Sequence, residues 1–279
     1  MAEPGLTHRI WLERVPELVR ECVDLWELRL GEPYVAGAAG YTARVELPGG
    51  TPAVLKLIYP HGEAEHEADA LATWDGHGAV KLLARDGDRS AMLLERCEPG
   101  EPLAAAGSAL ALDVLIGLLP RLWVQAGEPF HTLEDEVAWW IGYLPEQWER
   151  SGQAVERRLV DVAVDALSSL SATQGEQVLL HQDLHGDNVL AAEREPWLVI
   201  DPKPLIGERE FAVAPIVRSF ELGHSKRDAL YRLDRVTSDL GLDRERARGW
   251  TIGQTMAWGF ESEYHPTHLQ TVRWLLEVA

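Results

Sequence analysis

Cysteine is nearly absent from this chain of 279 residues: its 2 thiols, Cys22 and Cys97, lie far apart in sequence. A pair so spaced offers no disulfide framework, and the default expectation is a reducing, cytoplasmic compartment. Positive charge is scarce too. Lys and Arg total 26 against 45 Asp and Glu, a formal net charge of -19. A surface of that sign disfavours nucleic-acid backbones and anionic membranes as partners and attracts cationic small molecules. Long hydrophobic runs are missing. The longest apolar stretch, Leu103 to Leu119, contains Ser108 and Asp113 and is too short and too polar to span a bilayer, so it reads as a buried helix. No basic segment followed by an apolar one opens the chain, so no signal peptide is expected. Internal repeats and low-complexity segments are absent as well.

What is present is enough apolar material, 46% of residues, to build two subdomains around one cleft, with 11 Trp dominating the aromatic content. The most informative stretch runs from Leu179 to Lys203, LLHQDLHGDNVLAAEREPWLVIDPK. Two short strands are expected here, Val178–Leu180 and Trp197–Ile200, the second ending directly on Asp201. The turn after the first carries His181, Asp183 and Asn188 in the order His-x-Asp-Leu-x-x-x-Asn. Phosphoryl transfer from a nucleotide needs a carboxylate to orient the acceptor hydroxyl and oxygen ligands to hold Mg²⁺ on the phosphates. Asp183 suits the first role, and Asn188 with Asp201 the second. An acidic turn could place one of these residues by chance; the motif, the strand and the closing Asp in that order point to a kinase-type catalytic loop.

Two departures narrow the class. Gln182 stands where protein kinases usually carry Arg, and Asp201 is followed by Pro202-Lys203 with no recognisable activation segment. Switching by loop phosphorylation is therefore not expected, which favours a constitutive small-molecule kinase.

Earlier in the chain, residues 1–30 read as a helix, with Leu12, Val15, Leu18, Val19, Cys22 and Val23 at helical spacing and Gly31-Glu32-Pro33 as its stop. A hairpin follows, Ala43–Leu47 and Ala53–Ile58 around Pro48-Gly49-Gly50. Lys56 is a lone cation in that second strand, on the face opposite Leu55 and Leu57. Facing water would satisfy it, but with the downstream motif in kinase order it is read as a phosphate contact needing an acidic partner. The helix expected over Glu63 to Trp74 supplies one, Glu67 being preferred and Glu63 the alternative. Gly37 to Gly40 precedes the lysine by one hairpin, where a nucleotide-covering loop would sit, although it is not a GxGxxG. Two more strands are expected at Val80–Leu83 and Ala91–Leu94. Glu95 and Cys97 then occupy the hinge position, from which backbone groups would meet adenine. Helices follow from Leu103 to about Ser171 and again over Val213–Leu222, Lys226–Leu240, Arg244–Phe260 and His268–Val278. The domain reading is an N-lobe, 1–98, and a helical C-lobe, 99–279, bearing the catalytic loop and substrate site.

With these residues in hand the chain resembles the aminoglycoside phosphotransferase superfamily, and within it the aminoglycoside/hydroxyurea antibiotic resistance kinases, of which streptomycin 6-phosphotransferases are the best known. The stretches that carry the resemblance are PAVLKL (52–57), EADAL to GHGAVKLL (67–83), MLLERCEPGEPL (92–103), HQDLHGDNVL (181–190) and WLVIDPKPLIGEREF (197–211), with a weaker echo in GWTIGQTMAWGF (249–260). The resemblance implies an α+β, protein-kinase-like two-lobe fold: a small antiparallel N-lobe sheet plus helix, a large mostly helical C-lobe, and ATP between them. It implies Asp183 as catalytic base, Asn188 and Asp201 as Mg²⁺ ligands, Lys56 on the phosphates supported by Glu67, and His181 as a structural residue of the loop. Asp187 and Ala212 depart from the family's usual residues, the latter putting a stabilising hydrogen bond in doubt. The expected acceptor is a hydroxyl of a cationic aminoglycoside, streptomycin-like, with Glu261 and Glu263 as possible cation-binding acids and Trp139 and Trp140 as possible ring-stacking groups. A metabolic kinase of an amino sugar or another small alcohol, and a catalytically inactive kinase-like binding protein, are the alternatives. Intact Lys56, Asp183, Asn188 and Asp201 speak against the last.

Overall fold

Apolar side chains at helical spacing make α1 (His8–Leu25), which buries Trp11, Val15, Leu18, Val19 and Cys22 along one face. The computed structural model describes residues 8–34, 40–59, 62, 65–260 and 265–278. Most of the Gly37–Gly40 loop, the alternative Glu63, and Glu261 and Glu263 lie outside the described residues.

The helix expected to reach residue 30 stops at Leu25, and Arg29–Pro33 forms an exposed strand, β1. Gly31-Glu32-Pro33, which looks like a helix stop, is the end of an edge strand. Proline cannot donate to a ladder and is tolerated there. β1 pairs antiparallel with β2 (Gly40–Glu46), which pairs with β3 (Pro52–Ile58) across a turn whose Gly49 and Gly50 have φ of 97° and 87°. After α2 (Glu67–Trp74) come β4 (Leu82–Asp86) and β5 (Ala91–Glu95). The strand order is β1-β2-β3-β5-β4, antiparallel throughout. The period of two in β3 sends Ala53, Leu55 and Leu57 to the face covered by α1, where they share a core with Val45, Ala91 and Leu93. Lys56 is left on the opposite face.

The remaining elements are α3 (Ser108–Leu122), α4 (Leu133–Arg150), α5 (Arg157–Ser171), β6 (Gln177–Leu180), β7 (Val189–Ala191), β8 (Trp197–Val199), β9 (Leu205–Glu208), α6 (Ala214–Arg218), α7 (Lys226–Leu240), α8 (Arg244–Gly259) and α9 (His265–Leu276). The apolar stretch Leu103–Leu119 is two elements: Leu103–Ala106 is a 3-10 turn, and Gly107, at φ 91°, separates it from α3. Among the described residues no helix is long and apolar enough to cross a membrane.

The chain folds as two compact units. Met1–Glu101 with Leu190–Lys203 forms the first, and Pro102–Val189 with Pro204–Ala279 the second. Helix α8 is the core of the second unit, buried over Ala247 and from Trp250 to Ala257. Two glycines one turn apart let it approach α5. A Cβ on Gly253 would stand 2.5 Å from Leu167 Cδ2, and one on Gly249 2.8 Å from Leu170 Cδ1. Leu167 is fully buried.

Alanine at Gly253 would gain about 1 kcal/mol of helix propensity, against about 1–3 kcal/mol for overpacking a filled core. Gly253→Ala is expected to lower the urea midpoint of unfolding. A raised midpoint would mean that Leu167 moves aside freely.

Candidate functional site

A lysine on an inner strand face must meet opposite charge if it is to remain protonated. In the first unit Lys56 Nζ donates to Glu67 Oε1 at 2.7 Å and Oε2 at 2.8 Å, and also to Asp201 Oδ1. The Lys56 and Glu67 side chains are 12% and 4% exposed, whereas that of Asp201 is 53% exposed. Burial disfavours the ammonium, but Glu67 and Asp201 outweigh it and hold the Lys56 pKa above its ordinary value. Burial raises Glu67, with Lys56 pulling it back. Glu67 opens α2, one turn beyond the alternative Glu63. Asp201 follows β8 in the left-handed region, φ 57°, immediately before Pro202. Such a conformation costs a non-glycine residue free energy and is retained where surrounding structure demands it.

Glu95 and Cys97, the residues expected to meet adenine through their backbone, lie in the same unit. The Glu95 amide donates to Lys81 O at 2.9 Å and is not available to a ligand. Its carboxylate accepts from Arg194 Nε at 2.7 Å and Nη2 at 2.9 Å, and from the Lys81 amide at 3.0 Å. Arg194, from the connection between β7 and β8, also donates to the carbonyls of Gly76 and Ala79. Burial, with Glu95 adding to it, pushes the Cys97 thiol up to about 12, so Cys97 has only its backbone to offer.

In the second unit β6 leads into the loop expected to be catalytic. His181 is buried and its Nδ1 accepts from the Asp183 amide at 3.3 Å. Gln182 sits at φ 64°, also left-handed and buried. Asn188 Nδ2 donates to the Asp183 carbonyl at 2.9 Å and lies 3.2 Å from His185 Nε2. With its amide nitrogen tied back to the loop, Asn188 presents Oδ1, the atom a hard cation would use. Gly186 fits beside the 103–106 turn because a Cβ there would stand 3.0 Å from Ala104 Cα.

The family model described as aminoglycoside/hydroxyurea antibiotic resistance kinase matches residues 29–265. The chain belongs to that family. It is 40% identical over 257 residues to a hydroxyurea phosphotransferase of Kitasatospora aureofaciens, covering 90% of this chain and 74% of that one. It is 39% identical over 267 residues to a streptomycin 6-kinase of Streptomyces glaucescens, covering 92% and 87%. The fold is shared with a choline kinase of Streptococcus pneumoniae, at a TM-score of 0.67 and 13% identity over 95% of this chain and 99% of that one. This resistance-family kinase is an ATP-dependent phosphotransferase on the protein-kinase-like fold.

Several groups around the loop were not singled out from the kinase's sequence. His185 lies 3.9 Å from Asp183 Oδ1, and Glu221 Oε1 accepts from the Gly186 amide at 3.2 Å. Arg218 Nη2 stands 3.7 Å from Asp183 Oδ1. The one local signal for Arg218 is its place at the end of the apolar run Phe211–Val217. The Trp139-Trp140 pair is divided: Trp140 is buried against Phe211, whereas Trp139 is exposed and stacked on Tyr143 with ring centroids 4.6 Å apart.

The Arg194–Glu95 clamp has a pH signature. Burial alone would raise Glu95, but the Arg194 hydrogen bonds and the Lys81 amide bring it below 4.5. A carboxylate depressed on folding stabilises the fold above its unfolded pKa, and that stabilisation disappears as pH falls through the lower folded value. Arg194→Ala is therefore expected to lower Tm at pH 6–7, with the difference from wild type shrinking as pH falls below 4.5. A difference independent of pH would assign Arg194 to its carbonyl contacts alone.

Proposed function

We propose that this kinase transfers the γ-phosphoryl group of ATP to a hydroxyl of an aminoglycoside of the streptomycin type. The observation that carries the reading is the buried Lys56 cation held against Glu67 with the exposed Asp201 beside it. That grouping suits a nucleotide triphosphate, with the lysine offsetting phosphate charge and Glu67 fixing the lysine.

Asp183 would orient the acceptor hydroxyl and receive its proton as the oxygen attacks the γ-phosphorus. The bond from that phosphorus to the bridging oxygen breaks, ADP leaves, and no covalent enzyme intermediate forms. The donor set for a divalent cation, one amide oxygen from Asn188 and one carboxylate from Asp201, is hard and oxygen-only, as Mg²⁺ prefers. Bound there, Mg²⁺ would offset charge on the transferring phosphates.

Two observations favour different acceptors. Relatedness to a streptomycin 6-kinase and the acidic composition favour a polycationic aminoglycoside. Relatedness to a hydroxyurea phosphotransferase favours a much smaller neutral hydroxyl compound. Nucleic acid and membrane are not proposed as partners.

Coupled ADP release with Mg–ATP across streptomycin, other aminoglycosides, hydroxyurea, glucosamine and simple sugars tests the reading. Streptomycin is expected to turn over with the highest kcat/KM. Turnover of hydroxyurea alone would move the acceptor to the second reading, and turnover of a plain sugar alone would reject both. Asp183→Ala is expected to lower kcat by about 10²–10⁴ while nucleotide binding survives. Asp201→Ala is expected to weaken Mg–ATP binding in a nucleotide titration.

A further inference from the structure

Helix α8 carries Trp250, Gln254 and Trp258 one turn apart, in the stretch whose family likeness is weakest. Their partners Glu208, Gln182 and Arg218 lie in the second unit. Trp250 Nε1 donates to the buried Glu208 carboxylate at the end of β9. Gln254 Nε2 donates to the Gln182 carbonyl at 3.1 Å, and Gln254 Oε1 accepts from Arg218 Nη1 at 2.7 Å. The Trp258 ring lies under the Arg218 guanidinium, 4.6 Å from centroid to Cζ.

Arg218 is only 6% exposed. Burial pushes its pKa down to about 10, with Asp183 and Glu221 opposing the shift. Replacing a buried charge with a well-packed apolar side chain is often neutral or favourable for stability, so packing alone gives little reason for an arginine here. Asp183 Oδ1 lies 3.7 Å from its Nη2, too long for a hydrogen bond yet strongly attractive away from bulk water.

We propose that Arg218, clamped by Gln254 and Trp258 of α8, is a positioning residue that fixes the Asp183 carboxylate and anchors the catalytic loop through Gln182. The proposal rests on the reading of Asp183 as the group that receives the acceptor's proton. It accounts for two departures in the sequence. Gln182 brings no charge to the loop where protein kinases usually have Arg, and the cation comes instead from α6. Ala212 offers no side-chain hydrogen bond, and the loop's backbone is held from α8. It also accounts for a left-handed Gln182: that conformation keeps its carbonyl aimed at Gln254.

The test compares wild type with Arg218→Met, Arg218→Lys and Gln254→Leu in the full chain, measuring kcat, KM for ATP, Tm and amide hydrogen exchange. Arg218→Met and Gln254→Leu are expected to lower kcat about 100-fold, the scale of a misplaced catalytic group. KM for ATP should hold, and faster exchange should be confined to residues 181–188. Arg218→Lys is expected to recover kcat to within about tenfold of wild type. Three outcomes would overturn the proposal: Arg218→Met keeping kcat within about twofold; Arg218→Lys failing as badly as Arg218→Met with exchange raised throughout the unit; or unchanged exchange at 181–188 in both disruptive variants. Should Arg218→Met not fold, Arg218→Lys and Gln254→Leu decide. Should wild type turn over no acceptor, the proposed reaction falls and exchange at 181–188 alone decides the positioning role.

Discussion

A charge taken out of water must be met by an opposite charge or by dipoles aimed at it, and this constraint shapes both units. In the first, Lys56 is answered by Glu67 and Asp201, so a strand, a helix and the end of a second strand pair are bound to one ammonium. In the second, the fully buried Glu208 receives Arg246 Nη2 at 2.8 Å, the Gly175 amide at 2.7 Å and the Trp250 indole. Arg232, 2% exposed, is met by the carbonyls of Val217, Leu222 and Gly223. Each of these groups would be expensive to bury alone. In the first unit they bind β3 to α2, and in the second they tie β9 to α8 and α6 to α7.

What the sequence revealed follows from how local the information was. His181, Asp183 and Asn188 are nearly contiguous, and their spacing is itself the geometry: the Asn188 amide reaches the Asp183 carbonyl within one short turn. Lys56 was legible because period two in β3 isolates a cation among apolar neighbours. The hairpin at Gly49-Gly50 and the helix Lys226–Leu240 were legible from turn chemistry and apolar period. Arg29–Pro33 was misread because Gly and Pro carry the same local signal at a helix stop and at an edge strand; only pairing with β2 separates the two. Arg218 and Gln254 were legible only as parts of helices, not as partners of the loop. Their meaning lies in contacts between residues 36 and 72 positions apart, which no local pattern encodes.

The two tryptophans at 139 and 140 make the same point about chemistry. Adjacent positions on a helix face different directions, so one ring is buried against Phe211 while the other lies on the surface against Tyr143. Residue type alone suggested one role for both. A ring already surrounded by core is held by dispersion and hydrophobic contact and has no face left for a ligand.

The return of Leu190–Lys203 to the first unit has a consequence for how this protein can be cut or recombined. A fragment ending at residue 101 would keep Lys56 and Glu67 but lose Arg194 and Asp201, and with them the clamp on Glu95 and the second carboxylate on the lysine. The complementary fragment would carry a hairpin cut off from the partners that order it. A single crossover between two homologous genes therefore cannot exchange one unit intact; three breakpoints, after residues 101, 189 and 203, would have to be inherited together.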